Sequence, residues 1–376
     1  MIEKTKKWFR LLAFIPLLAG IMSVNMYFDP DDIFHDAAQF ITDGLMAGND
    51  VYFVMDSCNE RANKKCFIQN MPKHVDCIAV GPSLSMGIRS EHVGTSNYYN
   101  LSASRLSYYD YMAVFGLLNY KNVKFDKVIL CVDSYFFDES IIAREQGYRI
   151  WEEYAHHMED LLNNKDKIST PENYSTFSIV YAKLTQIAQM VSPSYFKSSL
   201  KFLPKHYRAI LKYMIDGKRY GIVSDETTAS HAHYKPDGSW VYSLAFIQNT
   251  VDFVIKKSDS YNIPAQFGKG LHPSEPRKKM FIKLIQYLMA NNVKIEFFLC
   301  SLPPVLWDRV TKGKDAQDYF MFDELEKFAN DVAKEYNIKL VGSYNPYNIG
   351  IQNEDYLDAR HIRNEKLEQY FDFGNF

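Results

Sequence analysis

From Asp76 onward, short and nearly continuous apolar runs alternate with longer stretches whose apolar residues recur at three- and four-residue spacing. The runs "DCIAVG" (76–81), "NYYNLS" (97–102), "DKVILCVDSYFF" (126–137), "VKIEFFLCSLPP" (293–304) and "IKLVGSY" (338–344) predict strands, the more apolar of them buried on both faces. "YYDYMAVFGLLNY" (108–120), "PRKKMFIKLIQYLMANN" (276–292) and "FDELEKFANDVAKEYN" (322–337) predict helices between them. This βαβ rhythm predicts an α/β chain with a mainly parallel sheet covered on both faces. Active groups in such sheets gather beyond the carboxyl ends of the strands.

From about Glu139 to Gly270 the rhythm stops. The helical stretches "GYRIWEEYAHHMEDLLNN" (147–164) and "YSTFSIVYAKLTQIAQMV" (174–191) are followed by "TTASHAHYKPDGSWVYS" (227–243), with turn chemistry at Pro236, Asp237 and Gly238. The expectation is a helical cap inserted over the strand ends. Ahead of the first strand, "FDPDDIFHDAAQFITDGLMAG" and "CNERANKKCFIQNM" read as two helices. The chain therefore divides into an N-terminal segment (1–28), a helical linker (29–72) and an α/β domain (73–376) with the insertion at about 139–270.

The N-terminal segment has its own pattern. Lys4, Lys6, Lys7 and Arg10 precede 18 residues, Leu11 to Phe28, that carry no formal charge. As a helix these span ~27 Å, against a hydrocarbon core of ~30 Å. An uncleaved single-pass anchor is expected, with its basic end in the cytoplasm and the rest of the chain outside, in the periplasm or at the cell surface. Charge adds an exclusion: 43 basic against 45 acidic residues, interspersed, make no field of the kind that binds nucleic acid. Of the five cysteines, Cys58 and Cys66 lie in a polar region and could pair, while Cys77, Cys131 and Cys300 fall inside apolar runs. There is no CxxC, and no structural zinc is expected.

Four polar spots fall at strand ends: Ser83, the "NLSAS" segment with Ser104, Asp133, and "YLDARHI" near the C-terminus. Acyl transfer through a serine needs a nucleophile, a base, a group that orients the base, and oxyanion donors. Asp358 and His361, three residues apart, can supply base and orienter, with Ser83 as nucleophile. A serine after Gly-Pro is also what an ordinary strand-ending turn contains. The histidines of "WEEYAHHMED" (His156, His157) and "SHAHYKP" (His231, His233) read as solvated face and loop, and His272 as part of a turn before a proline-started helix. Trp240 and Tyr242 suit sugar stacking or packing.

The order of these motifs resembles the SGNH (GDSL-like) hydrolase and acyltransferase superfamily. "GPSL" matches the Gly-Asp-Ser-Leu block with Pro82 in place of its aspartate, and "DARH" matches the Asp-x-x-His block. The basic N-terminus, "YFDPDDIF", "NERANKK", "DCIAVGPSLSMGI", "YNLSASRLSYYDY" and "KVILCVDSYFF" together resemble membrane-anchored SGNH-like proteins of cell-envelope polysaccharide systems, including DltD-like and alginate-acetylation-like members. The resemblance implies an SGNH/flavodoxin-like three-layer α/β/α fold and an extracytoplasmic O-acyl (acetyl) transferase or esterase acting on an acylated glycan or polysaccharide. It implies Ser83, His361 and Asp358 as the catalytic triad, no metal or cofactor, and a membrane-bound acyl-donor protein as partner. Two departures concern the oxyanion hole. Ser104 or Arg105 stands where the family has a glycine, and Asp133 where it has an asparagine donor. An ionised aspartate only accepts hydrogen bonds and would repel an oxyanion, so either another donor such as Arg105 takes over, or the chain is an inactive SGNH fold serving as a polysaccharide-binding or assembly factor.

Overall fold

A computed structural model describes residues 2–29, 34, 37–54, 58–144, 150–170, 184, 187–200, 219–263, 267, 269–312 and 320–374. Five of its strands form one sheet: β2 (His74–Val80), β3 (Tyr98–Asn100), β4 (Lys124–Cys131), β8 (Lys294–Leu299) and β9 (Lys339–Gly342). Their order is β3-β2-β4-β8-β9, and every neighbouring pair is parallel. Successive residues of the central strands feed two separate cores. Val128 and Leu130 of β4 join the cluster under the helices Tyr108–Tyr120, Glu275–Ala290 and Met321–Glu335. Ile129 and Cys131 join a second cluster with Leu84, Val254, Leu367 and Phe371 on the opposite face. A sheet buried on both sides accounts for apolar runs without alternation.

The chain leaves β2 toward one edge, through β3, and leaves β4 toward the other, through β8 and β9. The strand order thus reverses between β2 and β4, and the last residue of β2, Val80, stands beside Leu130, one residue before the end of β4. A crevice at this reversal, beyond the carboxyl ends, is the usual site of chemistry in open α/β sheets.

A second, four-stranded sheet is built from β1 (Val51–Phe53), β5 (Tyr220–Ile222), β6 (His233–Tyr234) and β7 (Trp240–Val241) in the order β5-β1-β6-β7, with every pair antiparallel. β1 comes from the stretch read as a helical linker, whereas β5, β6 and β7 come from the insertion. The insertion therefore contributes strands as well as the helix Glu152–Leu162. Most of its other expected helical stretch, Tyr174–Val191, lies outside the described residues. The turn joining β6 to β7 is hydrogen-bonded into the main domain: Asn100 N donates to Asp237 O (2.7 Å), and Trp240 N to Met86 O (2.8 Å). Trp240 is buried against Phe53 and Tyr234, which rules it out as an exposed sugar-stacking ring.

At the N-terminus, Ile2–Phe28 forms one helix with Pro16 inside it. Among the described residues no helix is long and apolar enough to cross a membrane. Cys58 and Cys66 are not joined to each other, so the pairing open to them is not made.

Candidate active site

The turn after β2 starts with a glycine for a steric reason. A Cβ on Gly81 would lie 2.3 Å from Ser85 Oγ and 2.4 Å from Cys131 Cβ, so any side chain would push β2's turn off the end of β4. Pro82 then leads into a single 3₁₀ turn, Ser83–Ser85, closed by Ser85 N donating to Pro82 O at 3.0 Å. Ser85 is buried and donates to Pro82 O and Ser102 Oγ, which makes it a structural residue of the turn. Ser83, half-buried, is left as the partly exposed hydroxyl of the turn.

Its partner comes from the other end of the chain. Leu357 N donates to His361 O at 2.7 Å, tightening the segment 357–361 into a loop that the Tyr356–Ile362 bridge closes. Inside it, Asp358 Oδ1 accepts from the backbone N–H groups of Arg360 and His361, both at 2.8 Å. His361 Nδ1 lies 3.0 Å from each Asp358 oxygen, and Nε2 lies 2.8 Å from Ser83 Oγ. The carboxylate holds the proton on Nδ1, which leaves Nε2 to accept from the serine hydroxyl. Burial pushes the Asp358 carboxyl up, but the imidazole and the two backbone donors outweigh it and hold the group well below the usual carboxylate range. Tyr242 and Phe246 set their rings 5.5 and 6.4 Å from that of His361. Arg363 fastens their segment to the loop by donating to Ile247 O and Asn249 O at 2.7 and 2.6 Å.

The loop after β3 is gripped by "NERANKK". Asn59 caps the helix Glu60–Asn70. Glu60 accepts from Ser104 N and from Ser104 Oγ, the latter at 2.9 Å. Arg61 pairs in two-pronged fashion with buried Asp110, at 2.8 and 2.7 Å, and donates to Arg105 O. Lys64, buried, donates to Asn100 O (2.7 Å) and Gly238 O (2.6 Å). Between these anchors Arg105 adopts φ +54°, the left-handed region that glycine enters most readily. Of the two residues near the family's glycine, Ser104 has its amide taken by Glu60, while Arg105 has the glycine-like backbone.

Asp133, after β4, is buried and does not face the crevice as a bare charge. Its Oδ2 accepts from Arg360 Nη2 at 2.9 Å and its Oδ1 from Tyr135 N at 3.1 Å. Burial opposes the charge on Arg360, yet Tyr261 and Asp133 beside it more than compensate and raise its pKa further. The guanidinium also sits 4.5 Å over the Phe267 ring. Arg360 is the site residue that sequence reading missed. It lies inside "DARH", but its partner is 227 positions away and no spacing announces it.

The remaining candidates sit apart. His156 faces Glu152 and Glu159, His157 bridges Ser169 O and Asn119, His231 stacks on Tyr52, and His233 contacts His231 O. His272 stacks on Phe320 and pairs with Glu324. Among the described residues, one group has metal-like spacing: His74, Asp76 and Asp126, with ligand atoms within 4.8 Å of one another. It lies at the starts of β2 and β4, the opposite end of the sheet from Ser83, and Asp76 already accepts from Thr95 and Asn97.

No protein-family model matches the chain, and no curated protein matches it.

Proposed function

We propose that the chain is a serine-dependent O-acyl (acetyl) transferase or esterase of SGNH type, acting outside the cytoplasmic membrane on an acylated glycan or envelope polysaccharide. The observation that carries this reading is the connected series Ser83 Oγ, His361 and Asp358, at 2.8 and 3.0 Å, at the reversal of strand order. Ser83 Oγ attacks the acyl carbonyl as His361 Nε2 takes its proton, and Asp358 stabilises the imidazolium. The same proton passes to the leaving oxygen as the donor ester breaks, leaving the acyl group on Ser83. In the second half His361 deprotonates a sugar hydroxyl or water, which takes the acyl group and frees the serine. The backbone amides of Ser83 and Arg105 are the proposed oxyanion donors. The chemistry calls for neither metal nor cofactor. In the transferase version a membrane-bound protein delivers the acyl group, and the segment 1–28 keeps the enzyme beside it.

The test is Ser83-dependent acetate release, or transfer between glycans, by the full chain in detergent or vesicles across a panel of acetylated polysaccharides. Release abolished by Ser83→Ala supports the reading; no release from any member of the panel counts against it. A second reading, an inactive polysaccharide-binding or assembly factor, draws on Asp133, which offers no side-chain donor. Under that reading Ser83→Ala leaves biological function intact.

A further inference from the structure

The stretch that carries Tyr242 is fixed to both halves of the candidate site. Two residues before it, Trp240 N donates at 2.8 Å to the carbonyl of Met86, the residue that follows the turn Ser83–Ser85. Farther along, Arg363 holds Ile247 O and Asn249 O, and Asn249 Nδ2 donates at 3.1 Å to Leu357 O, next to Asp358. In the chain, Tyr242 thus lies between an anchor on the serine's turn and anchors on the histidine's loop. Its ring centre is 5.5 Å from that of His361, and the Phe246 ring packs against it at 5.0 Å.

Tyr242 is half-buried, yet its hydroxyl has no hydrogen-bond partner among the described residues and is not sealed from solvent. A tyrosine O–H removed from bulk water ordinarily finds such a partner. Burial, reinforced by the charges of Asp358 and Glu60, raises its pKa well above the usual tyrosine value, so the group keeps its proton well past neutral pH. The same two carboxylates mark its surroundings: Asp358 orients His361, and Glu60 holds Ser104, next to Arg105. Acyl transfer through Ser83 needs donors where the carbonyl oxygen gains charge. Asp133 offers none, because both its oxygens accept, from Arg360 Nη2 and Tyr135 N. A neutral phenol beside the catalytic imidazole can supply one.

We propose that Tyr242 is a catalytic residue of this site: its hydroxyl donates a hydrogen bond to the acyl carbonyl oxygen as that oxygen becomes the oxyanion, beside the amides of Ser83 and Arg105. This assignment rests on the proposed serine-dependent acyl transfer. The phenol keeps its O–H bond throughout. Its hydrogen bond strengthens as charge develops on the oxygen and weakens when the carbonyl re-forms, so it favours the transition state over bound substrate.

The test is Tyr242→Phe in the full chain in detergent, which keeps the ring against His361 and Phe246 and removes only the oxygen. Hydrolysis of 4-nitrophenyl acetate is followed with Ser83→Ala as the background, and trifluoroacetone serves as the inhibitor, since its adduct with Ser83 carries the oxyanion. In Tyr242→Phe, kcat/KM should fall about 10²- to 10³-fold, with an unchanged thermal midpoint. Inhibition by trifluoroacetone should weaken by a similar factor. Equal turnover in the two proteins overturns the inference and leaves the triad standing. A slower variant with unchanged inhibition also overturns it, because the loss then lies in the placing of His361 rather than in holding the oxyanion. Wild-type protein without Ser83-dependent turnover overturns both the inference and the reading it rests on.

Discussion

At the scale of single residues, the site turns on two pairs. Asp358 orients His361, and exchanging it for asparagine keeps the shape while losing control of the tautomer; a fall in acyl-transfer rate of roughly 10²- to 10⁴-fold is expected for Asp358→Asn. The second pair gives a less intuitive outcome. Asp133→Asn restores the residue type of the resembling family, yet here it leaves Arg360 as a buried cation without its carboxylate, at a cost of about 3–5 kcal/mol. Chemical denaturation should show that loss, and activity should fall rather than rise. Gly81→Ala meets Ser85 and Cys131 at well under van der Waals distance, so about 1–3 kcal/mol of destabilisation is expected in the same assay. The meeting of Ser83, Asp358 and His361 was legible in the sequence because a serine, a histidine and a carboxylate suggest the arrangement by residue type and the last two sit in one short motif. Arg360 was not, because a buried ion pair between distant segments leaves no periodic trace.

At the scale of elements, the helix Glu60–Asn70 explains why a polar stretch precedes the first main strand. Its side chains reach a strand end, a helix and two loops at once: Glu60 to Ser104, Arg61 to Asp110 and Arg105, Lys64 to Asn100 and Gly238. Reading that stretch for its helical spacing found the helix and missed the grip, since side-chain to backbone contacts depend on where other chain segments arrive. Lys64 makes this testable. Burial, only partly offset by Glu60 and Asp237, lowers its pKa from 10.5 to about 8. The unfolded chain therefore binds more protons than the folded one between those values, and stability rises with pH across that window. Denaturation midpoints taken from pH 8 to 9.5 should climb for the wild-type chain, and the climb should flatten in Lys64→Met, which also loses overall stability through two stranded carbonyls. The strands of the main sheet were readable because burial on both faces writes continuous apolar runs. β1, β5, β6 and β7 were not, being two or three residues long, too short to show a period, and β1 pairs with β5 and β6 across wide gaps in sequence.

At the scale of the whole molecule, one end of the sheet gathers what four distant parts of the sequence supply. At the reversal of strand order, β2 brings Ser83, β4 brings the Asp133 that fastens Arg360, and the C-terminal loop brings His361 and Asp358. The segment 220–249 is tied to the main domain through Asp237, Trp240 and Arg363 and sets Tyr242 and Phe246 beside His361. The α/β alternation fixed the class of sheet in advance, while the shared second sheet needed coordinates, because it joins segments more than 150 residues apart. In the proposed mechanism this assembly activates Ser83. The most direct measurement is intact-mass and peptide mapping of the full-length protein after exposure to a small fluorophosphonate, with His361→Ala treated in parallel. A single adduct on Ser83 that disappears in the variant is expected; folded protein that takes no adduct, or takes it elsewhere, would overturn the proposed mechanism.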